Sequence, residues 1–598
     1  MGTPDPREIQ NFPLDNPKAK IVLERGRLYV CEREYYWDSE AKRGRENRLY
    51  LGRIVDGVYY TTEEYRRRFK RNGELRVVEK TQNRPYRRKQ KEAEPVAPVE
   101  PKIEQKEQKT PSLKAKRVGL TALFTAISRQ LGLWQDVAEA FGAVPCRVAH
   151  SLAYHWLLTH NNAAYLFQSW SEGYLLPFPQ AVSGKECTEF MRSLAETPDW
   201  ETKFFGARMN RMADDEVYSY DATNIATKAL EIVDAQFGKS KTNGYCDQIG
   251  LSILLGQKSG LPVMFRVFPG NINDVTTVAD LLSRVEFLNG RKVFAAVVDR
   301  GYFSLKNIRL CLDSGKRMIF AAKTDVSWVR DAAEQVMTRL WESQSRLYGC
   351  QDWGATVCKT IEFDDGKKRD VWVHIFRNES RSHTEQGAFF ANLERFEADW
   401  AAASKAKDTQ KQALKNNDNL KYFIGPHGEP GVSTLVRDHD AINSAIRYMG
   451  FFASVSTMEC TAQEAIETYR QRDAIEKCFQ AGKSDVSMDV IRSHSETTMK
   501  GRFIISFIAL TILCELRRRM KQELVEVEVD EAGEVTKRLR ALGTEMSYNE
   551  IQNYLAPIQA IYFGSKGHYG EITSKQRMIA TRLGCPDAFD ELPDYSLT

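Results

Sequence analysis

Residues 216–321 constrain the fold of this chain more than any other segment, because short apolar runs alternate there with amphipathic helices. The runs 249–255 and 263–268 are joined by a Gly/Pro turn, which predicts a β-hairpin. Residues 276–288 carry apolar side chains at helical spacing. Residues 293–298 are apolar throughout, as expected of a strand that is buried on both faces.

The elements of this segment follow the order strand, strand, strand, helix, strand, helix, strand. This is the order of the ribonuclease-H-like core, so we predict an α/β fold with a mixed five-stranded sheet flanked by helices. Residues 323–447 interrupt the core with five tryptophans, strand patterns at 360–363 and 371–376 and a charged helix at 393–415, and they predict a separate inserted module. A strand at 450–457 and one helix at 462–480 then resume the core.

Composition divides the rest of the chain. Residues 92–117 are rich in Pro, Glu, Lys and Gln and have few large apolar side chains, which predicts a disordered linker. The full set of predicted units is a basic, strand-rich DNA-binding domain at 1–91, the linker at 92–117, a helical region at 118–215, the first part of the core at 216–322, the insertion module at 323–447, the second part of the core at 448–520, and a helical C-terminal region at 521–598 with a possible role in dimerisation.

Charge is nearly balanced over the whole chain, because 85 basic residues face 80 acidic ones for a net charge of +5. A polyanion would therefore have to meet local basic patches. One patch is residues 61–90, with eleven Lys/Arg against four Glu. Its alternatives are a phosphate-contacting arm and a solvated helix with a tail. The arm interpretation makes DNA-binding candidates of Arg66, Arg67, Arg68, Arg87 and Arg88.

The sequence disfavours three classes of protein: membrane-spanning, zinc-ribbon and secreted proteins. The longest strongly apolar run, residues 503–514, is too short to cross a bilayer, which needs about 20 residues. The eleven cysteines are scattered without a Cys-x-x-Cys pair, which argues against a zinc ribbon and for free thiols in a reducing cytosol. No apolar secretory segment is visible at the start, so we expect a cytoplasmic protein without a membrane partner.

Three carboxylates stand out by their placement. Asp221 is predicted at the end of the first core strand, Asp299 at the end of the buried fourth strand, and Glu476 in the helix after the insertion. A charge at the end of a buried strand is costly unless it is compensated. Three convergent carboxylates suit Mg²⁺, and two such ions can activate an attacking oxygen and stabilise a leaving one. The alternative is that each acid is a helix cap or a surface charge.

The helix around Glu476 carries a spaced motif: Tyr469, two residues, Arg472, three residues, Glu476, six residues, Lys483. It matches the signature of the insertion-sequence-four superfamily of DDE transposases. The segments 220–223, 269–274 and 298–302 resemble that family's first-aspartate strand, Gly-Asn-x-x-Asp turn and second-aspartate strand. The resemblance covers residues 216–513. The insertion before the glutamate fits it, since the family places a module there that the resemblance implies to be mostly β.

The resemblance implies a function. A member of this family is a transposase that binds the ends of its mobile element, cleaves them by metal-dependent hydrolysis to expose 3′-OH ends, and joins these to target DNA by transesterification. Asp221, Asp299 and Glu476 would be the catalytic, metal-binding triad, with two Mg²⁺ ions and Mn²⁺ as a substitute. Tyr469, Arg472 and Lys483 would contact DNA.

The resemblance also implies the partners. They are double-stranded DNA, both element ends and target, and a second copy of the chain in a homodimer on paired ends, in a nucleoid-associated, prokaryotic setting. The family stacks a flipped base on an aromatic side chain of the insertion, and four tryptophans are candidates: Trp328, Trp341, Trp353 and Trp372.

Other functions stay open at this level. A ribonuclease-H-like nuclease without strand transfer would share the triad, and a domesticated, DNA-binding derivative would not need it. A glycosidase also uses paired acids but predicts no basic DNA-tracking surface. For Arg472, the alternative to a phosphate contact is an ion pair with Glu476 on the helix surface, worth about 0.3–0.5 kcal/mol.

Overall fold

The computed structural model describes residues 4–13, 19–24, 27–38, 43–55, 57–61, 113–229, 231–240, 244–289, 294–403, 417–424, 436–522, 524–529, 535–563 and 566–593. The five candidate arginines at positions 66, 67, 68, 87 and 88 lie outside these ranges. Within them, no helix is both long and apolar enough to cross a membrane.

The N-terminal unit is a four-stranded antiparallel sheet in which each strand pairs with the next. Its strands are β1 (Ala19–Glu24), β2 (Arg27–Asp38), β3 (Arg43–Val55) and β4 (Val58–Thr61). Arg53 on β3 donates to the carboxylate of Asp247 at 2.6 Å. Because Asp247 belongs to the central sheet described below, this ion pair joins the N-terminal sheet to it.

The next unit begins with a strand where the sequence predicted linker. Strand β5 (Leu113–Arg117) pairs with a strand near the C-terminus, so the linker assignment is wrong for these five residues. The register rather than local composition explains the strand, since a partner more than 400 residues away supplies its backbone hydrogen bonds. Six helices follow: α1 (Gly119–Gln130), α2 (Leu133–Phe141), α3 (Ala143–Thr159), α4 (Phe167–Ser171), α5 (Gly184–Glu196) and α6 (Trp200–Asn210).

The central sheet is mixed and has helices packed on it, which confirms the predicted α/β class. Its first strands are β6 (Val217–Ala226), β7 (Gln236–Ser240), β8 (Gly244–Gly256), β9 (Pro262–Pro269), β10 (Ala295–Val298) and β11 (Arg317–Ala322). Strands β6, β10 and β11 run parallel, and β8 is antiparallel to both β6 and β9. Between them lie α7 (Asp274–Asn289) and α8 (Leu305–Asp313).

The insertion continues this sheet and is not the mostly β module that we expected. Strands β12 (Asp352–Glu362) and β13 (Lys368–Asn378) form a hairpin that joins β11 through a later strand, so the spatial order is β12, β13, β16, β11, β10, β6, β8, β7 with β9 also on β8. The remaining elements are α9 (Ser327–Val336), α10 (Glu379–Ala403), β14 (Phe423–Ile424), β15 (Val436–Arg437), α11 (His439–Ile446) and β16 (Phe451–Ser456).

The last units complete the core and the C-terminal region. Helices α12 (Ala462–Arg470), α13 (Asp473–Asp485) and the largely buried α14 (Glu496–Lys521) pack against the sheet and the helical region. The C-terminal region is mixed, which corrects the helical prediction. Its elements are β17 (Leu524–Val529), β18 (Val535–Leu539), α15 (Leu542–Glu545), α16 (Tyr548–Leu555), β19 (Gln559–Phe563), β20 (Lys566–Tyr569) and α17 (Ser574–Arg582), with β19 pairing β5.

Candidate active site

The two aspartates lie side by side because of the parallel register. Tyr220 of β6 pairs with Val298 of β10, so Asp221 and Asp299 are the next residues on adjacent strands. Strand β6 does not end at Asp221, as the sequence predicted, but continues to Ala226 because β8 pairs with it along this stretch. Strand β10 does end at Val298. One aspartate therefore projects from a continuing strand and the other from a strand end.

Glu476 reaches the same place from a helix that is broken where the sequence predicted one continuous helix. Helices α12 and α13 are separated at Gln471 and Arg472, and the backbone N–H groups of Arg472, Ala474 and Ile475 bond three residues back instead of four. Gln471 and Arg472 both keep right-handed backbone angles. The chain tightens without changing direction abruptly, and Arg472 and Glu476 remain on one face.

Arg472 lies between all three acids. Its Nη2 donates to Glu476 Oε1 at 2.8 Å, and its Nη1 is 3.8 Å from Asp221 Oδ2 and 3.9 Å from Asp299 Oδ2. The Arg472 side chain is only 14% exposed, whereas that of Glu476 is 55% exposed. The predicted ion pair with Glu476 exists, but it is part of a four-residue cluster and does not lie on an open helix surface.

The charges of this cluster are unbalanced. Burial lowers the pKa of Arg472, but Asp299, Tyr469, Asp221 and Glu476 raise it by more, and the net pKa lies above the usual value. Arg472 is therefore a permanent cation. Three carboxylates and one guanidinium sum to a formal net charge of −2, which one divalent cation would balance.

The three acids are candidate ligands for a divalent metal ion. In the part of the chain that the structure describes, no group of three or more His, Cys, Asp or Glu side chains is arranged to hold a metal ion. The side chain of Arg472 occupies the position between the acids, which explains why they do not share a point. The donor set nevertheless fits a hard cation, since it consists of carboxylate oxygens alone.

Tyr469 and Lys483 flank the cluster on either side along the helices. The Arg472 guanidinium carbon is 5.6 Å from the centre of the Tyr469 ring, and burial raises the pKa of that phenol, so it stays protonated and able to donate. Helix α13 continues through Gly482. Lys483 on its next turn donates from Nζ to Thr223 Oγ1 at 2.9 Å, two residues after Asp221 on β6.

The signature helices are held in place by further contacts with the sheet. Gln257 Nε2 donates to the Ser219 hydroxyl at 2.9 Å and to the backbone carbonyl of Thr468 at 3.1 Å. Arg470 forms an ion pair with Asp352, which is almost completely buried at the start of β12. The insertion strands thus help to fix the helix that carries the signature.

More than half of the chain matches a known protein family. The sequence model of the transposase DDE domain family matches residues 212–512, which are 301 of the 598 residues. The chain belongs to this family. This confirms the prediction of a DDE transposase, whereas its assignment to the insertion-sequence-four superfamily stays a prediction.

The solved structures and the curated proteins do not extend the family assignment. A cryo-EM structure of a piggyBac transposase synaptic complex with hairpin DNA is similar over 70% of this chain and 77% of that chain, with 7% sequence identity and a TM-score of 0.34. This similarity is too low to support an argument. No curated protein matches the sequence of this transposase.

Two further acids, Asp473 and Asp274, lie near the triad but are not part of the cluster around Arg472. Asp473 pairs with Lys477 one turn on, and both side chains are more than half exposed on the helix surface. Asp274 begins α7, and its carboxylate oxygen lies 3.4 Å from the position that a Cβ on Gly301 would occupy. In the same turn, a Cβ on Gly270 would lie 1.9 Å from the backbone oxygen of Gln248, which explains the glycine of the Gly-Asn-x-x-Asp motif.

The four candidate tryptophans of the transposase are separated by the sheet. Trp372 pairs with Ser456 at the C-terminal end of β16, away from the edge that carries Asp299. Trp353 is the second residue of β12 and Trp328 the second residue of α9, which follows β11. The centre of the Trp341 ring lies 3.5 Å from the Arg377 guanidinium carbon. Since Arg377 is at the end of β13, three strand spacings or about 14 Å from β10, these three lie toward the active-site edge.

Some residues around the acids were missed in the sequence. Tyr302, three residues after Asp299, is buried, and its hydroxyl has no hydrogen-bond partner among the described residues. Thr223, Phe479 and Asp489 line a cleft that opens at Asp221 and Glu476. Phe479 could have been identified from the sequence, because it shares one helix face with Glu476 and Lys483.

Proposed function

We propose that this transposase binds the ends of a mobile element, cleaves them by metal-dependent hydrolysis to expose 3′-OH ends, and joins those ends to target DNA by transesterification. The observation that carries the proposal is the convergence of Asp221, Asp299 and Glu476 on one guanidinium. The family match to a transposase DDE domain supports it.

The same proposal covers the fold of the core. The spatial order β9, β8, β6, β10, β11, with the last three strands parallel, supports a ribonuclease-H-like core. The Tyr469, Arg472, Glu476 and Lys483 spacing supports membership of the insertion-sequence-four superfamily. Both assignments follow the pattern of strands and side chains rather than the family match.

Asp221, Asp299 and Glu476 would hold the divalent cations, two Mg²⁺ ions with Mn²⁺ as a substitute. Divalent metal ions are general in DDE transposases, and when bound they activate the attacking oxygen and stabilise the leaving one. The acids contribute by fixing those charges on a rigid strand pair and a helix anchored to the sheet. Catalysis then rests on positioning and electrostatic stabilisation, without a covalent link between protein and DNA.

Arg472 would have two partners in turn. Without DNA it offsets one of the three negative charges of the acids, which lie within 3.9 Å of its nitrogen atoms. With divalent cations held by the acids, its planar fork would be free to hold a DNA phosphate in a bidentate contact. Tyr469, one turn before Arg472, and Lys483, two turns beyond Glu476, would donate to nearby phosphates. These three contacts would position the strand at the acids.

Binding of whole ends requires surface beyond this site. We assign part of it to the basic arm with Arg66, Arg67, Arg68, Arg87 and Arg88. We also propose a homodimer on paired ends, since moving an element requires both ends to be processed together. Trp341, which is 53% exposed toward the active-site edge, is our candidate for stacking a flipped base.

The proposal is tested on DNA carrying the inverted repeats that we expect on either side of the gene. Purified protein and Mg²⁺ should release 3′-OH ends from intact DNA and should join pre-cut ends to a target plasmid. Sequencing gels and plasmid capture measure the two steps. Cleavage without joining would assign the protein to the nucleases, and binding without either step would indicate a domesticated DNA-binding derivative.

A further inference from the structure

A cleft of about 500 Å³ begins at Asp221 and Glu476 and extends along α13. Its wall on that helix includes Phe479 and Lys483, and its other wall includes Thr223. Seven residues of helix separate Glu476 from Lys483, so the cleft follows the helix for about 10 Å. This length is sufficient for one nucleotide beyond the phosphate at the acids.

Phe479 separates two different environments. On one side it lines the cleft, and on the other it lines a small apolar cavity together with Ile225, Ile253 and Leu510. The ring is partly buried and packs against the main hydrophobic core. Its inner face is thereby fixed by aliphatic side chains while part of the ring faces the open cleft, as in an aromatic platform that is rigid before its ligand binds.

The cleft also has polar side chains in its lining. Gln480 and Ser484 contribute from α13 and Asp489 from the segment after it, and none of them belongs to the signature motif. An amide, a hydroxyl and a carboxylate can each hydrogen-bond the edge of a nucleic-acid base. Acids for cations are thus found at one end of the cleft, an aromatic ring one turn further on, and base-edge partners on the same helix and just after it.

We propose that this cleft seats the nucleotide next to the scissile phosphate, with its base against Phe479. The proposal rests on the proposed function, since it takes a DNA strand held at the triad as its ligand. Stacking on an aromatic ring tolerates every base, because all bases have a π-face. Phe479 is therefore a positioning residue that fixes the strand, and Gln480 and Asp489 supply any preference for a particular base.

The test is a cycle that combines Phe479→Leu with removal of single bases on either side of the cut. Leucine keeps the apolar inner contact but has no ring. Affinity for element ends is measured by fluorescence anisotropy with Ca²⁺ in place of Mg²⁺, because Ca²⁺ also binds carboxylate oxygens. For one of the flanking nucleotides, wild type should lose about tenfold in affinity when the base is removed, and Phe479→Leu on intact DNA should lose about as much. Base removal should then cost the variant nothing further.

The control variant is Phe287→Leu, since Phe287 is 73% exposed on α7 and does not line the cleft. It should keep the full dependence on the base. If Phe479→Leu also keeps that dependence, or if no flanking base affects wild type, the ring is only core packing and the inference is overturned. Glu476-dependent cleavage by wild type in Mg²⁺ is measured in parallel, so a failure of the proposed function is recognised separately.

Discussion

Conversion of Asp221 or Asp299 to Asn, or of Glu476 to Gln, is expected to slow cleavage of the element's ends by at least about a hundredfold, the usual cost of removing one preorganised electrostatic contact. The amide keeps the size of the side chain but loses the charge that would hold a cation. Affinity for the ends should change little, because Arg472 keeps two of its three partners and the cluster loses part of an excess negative charge. Single-turnover cleavage and anisotropy measure the two quantities.

The matched control is Asp473→Asn. Asp473 lies three residues before Glu476 on the same helix, but it pairs with Lys477 at the surface. We expect its cleavage rate to stay within about threefold of wild type, as surface ion pairs contribute little. A triad variant that cleaves as fast as this control would not belong to the active site.

Arg472→Lys is expected to lose at least about tenfold in strand transfer from pre-cut ends, which corresponds to one lost hydrogen bond with a charged group. Lysine has one nitrogen in place of a planar fork, so it cannot meet both oxygens of a phosphate or bridge the three acids. Arg472→Ala should lose more, because it has no cation left to hold the phosphate. It should reach full activity at a lower Mg²⁺ concentration, because no guanidinium then competes with the metal for the three acids. Plasmid capture of pre-cut ends over a range of Mg²⁺ concentrations measures both effects.

The competing interpretation makes Arg472 a partner of Glu476 alone. It predicts nearly normal strand transfer for Arg472→Lys, since lysine can also pair with a glutamate four residues away. Lys477→Gln serves as the control, because it removes a positive charge from the same helix without touching the acids. Circular dichroism and thermal unfolding should be unchanged in the lysine variant, so a loss of activity can be assigned to the site.

Most core strands and the choice of candidate acids could be inferred from the sequence, because both depend on local patterns, although β7 was missed. The buried strand before Asp299 lies within one short segment, and so does the helix with the spaced motif. Each can therefore be predicted from neighbouring residues alone. Strand pairing is different. That Asp221 lies in the middle of β6, and that β12 and β13 extend the core sheet, depends on which distant edges supply hydrogen bonds.

The position of Arg472 was also beyond a sequence argument. Helical spacing placed it on the face of Glu476, but not within 3.9 Å of acids from two strands. That contact requires the break between α12 and α13 and the anchoring of Thr468 and Arg470 to the sheet. Such tertiary contacts decide how deeply a long side chain is buried, and periodicity does not report them.

The most direct test of the account exchanges each acid for cysteine and asks which metal ion supports cleavage. A thiolate is a poor ligand for Mg²⁺ and a good one for soft ions such as Zn²⁺ or Cd²⁺. Wild type is the control, since eleven other cysteines are present in every variant. Asp221→Cys, Asp299→Cys and Glu476→Cys should be inactive in Mg²⁺, and at least one should recover cleavage when a soft ion is added under conditions that do not stimulate wild type. Cleavage by all three variants in Mg²⁺ at the wild-type rate would show that these side chains do not hold the catalytic metal.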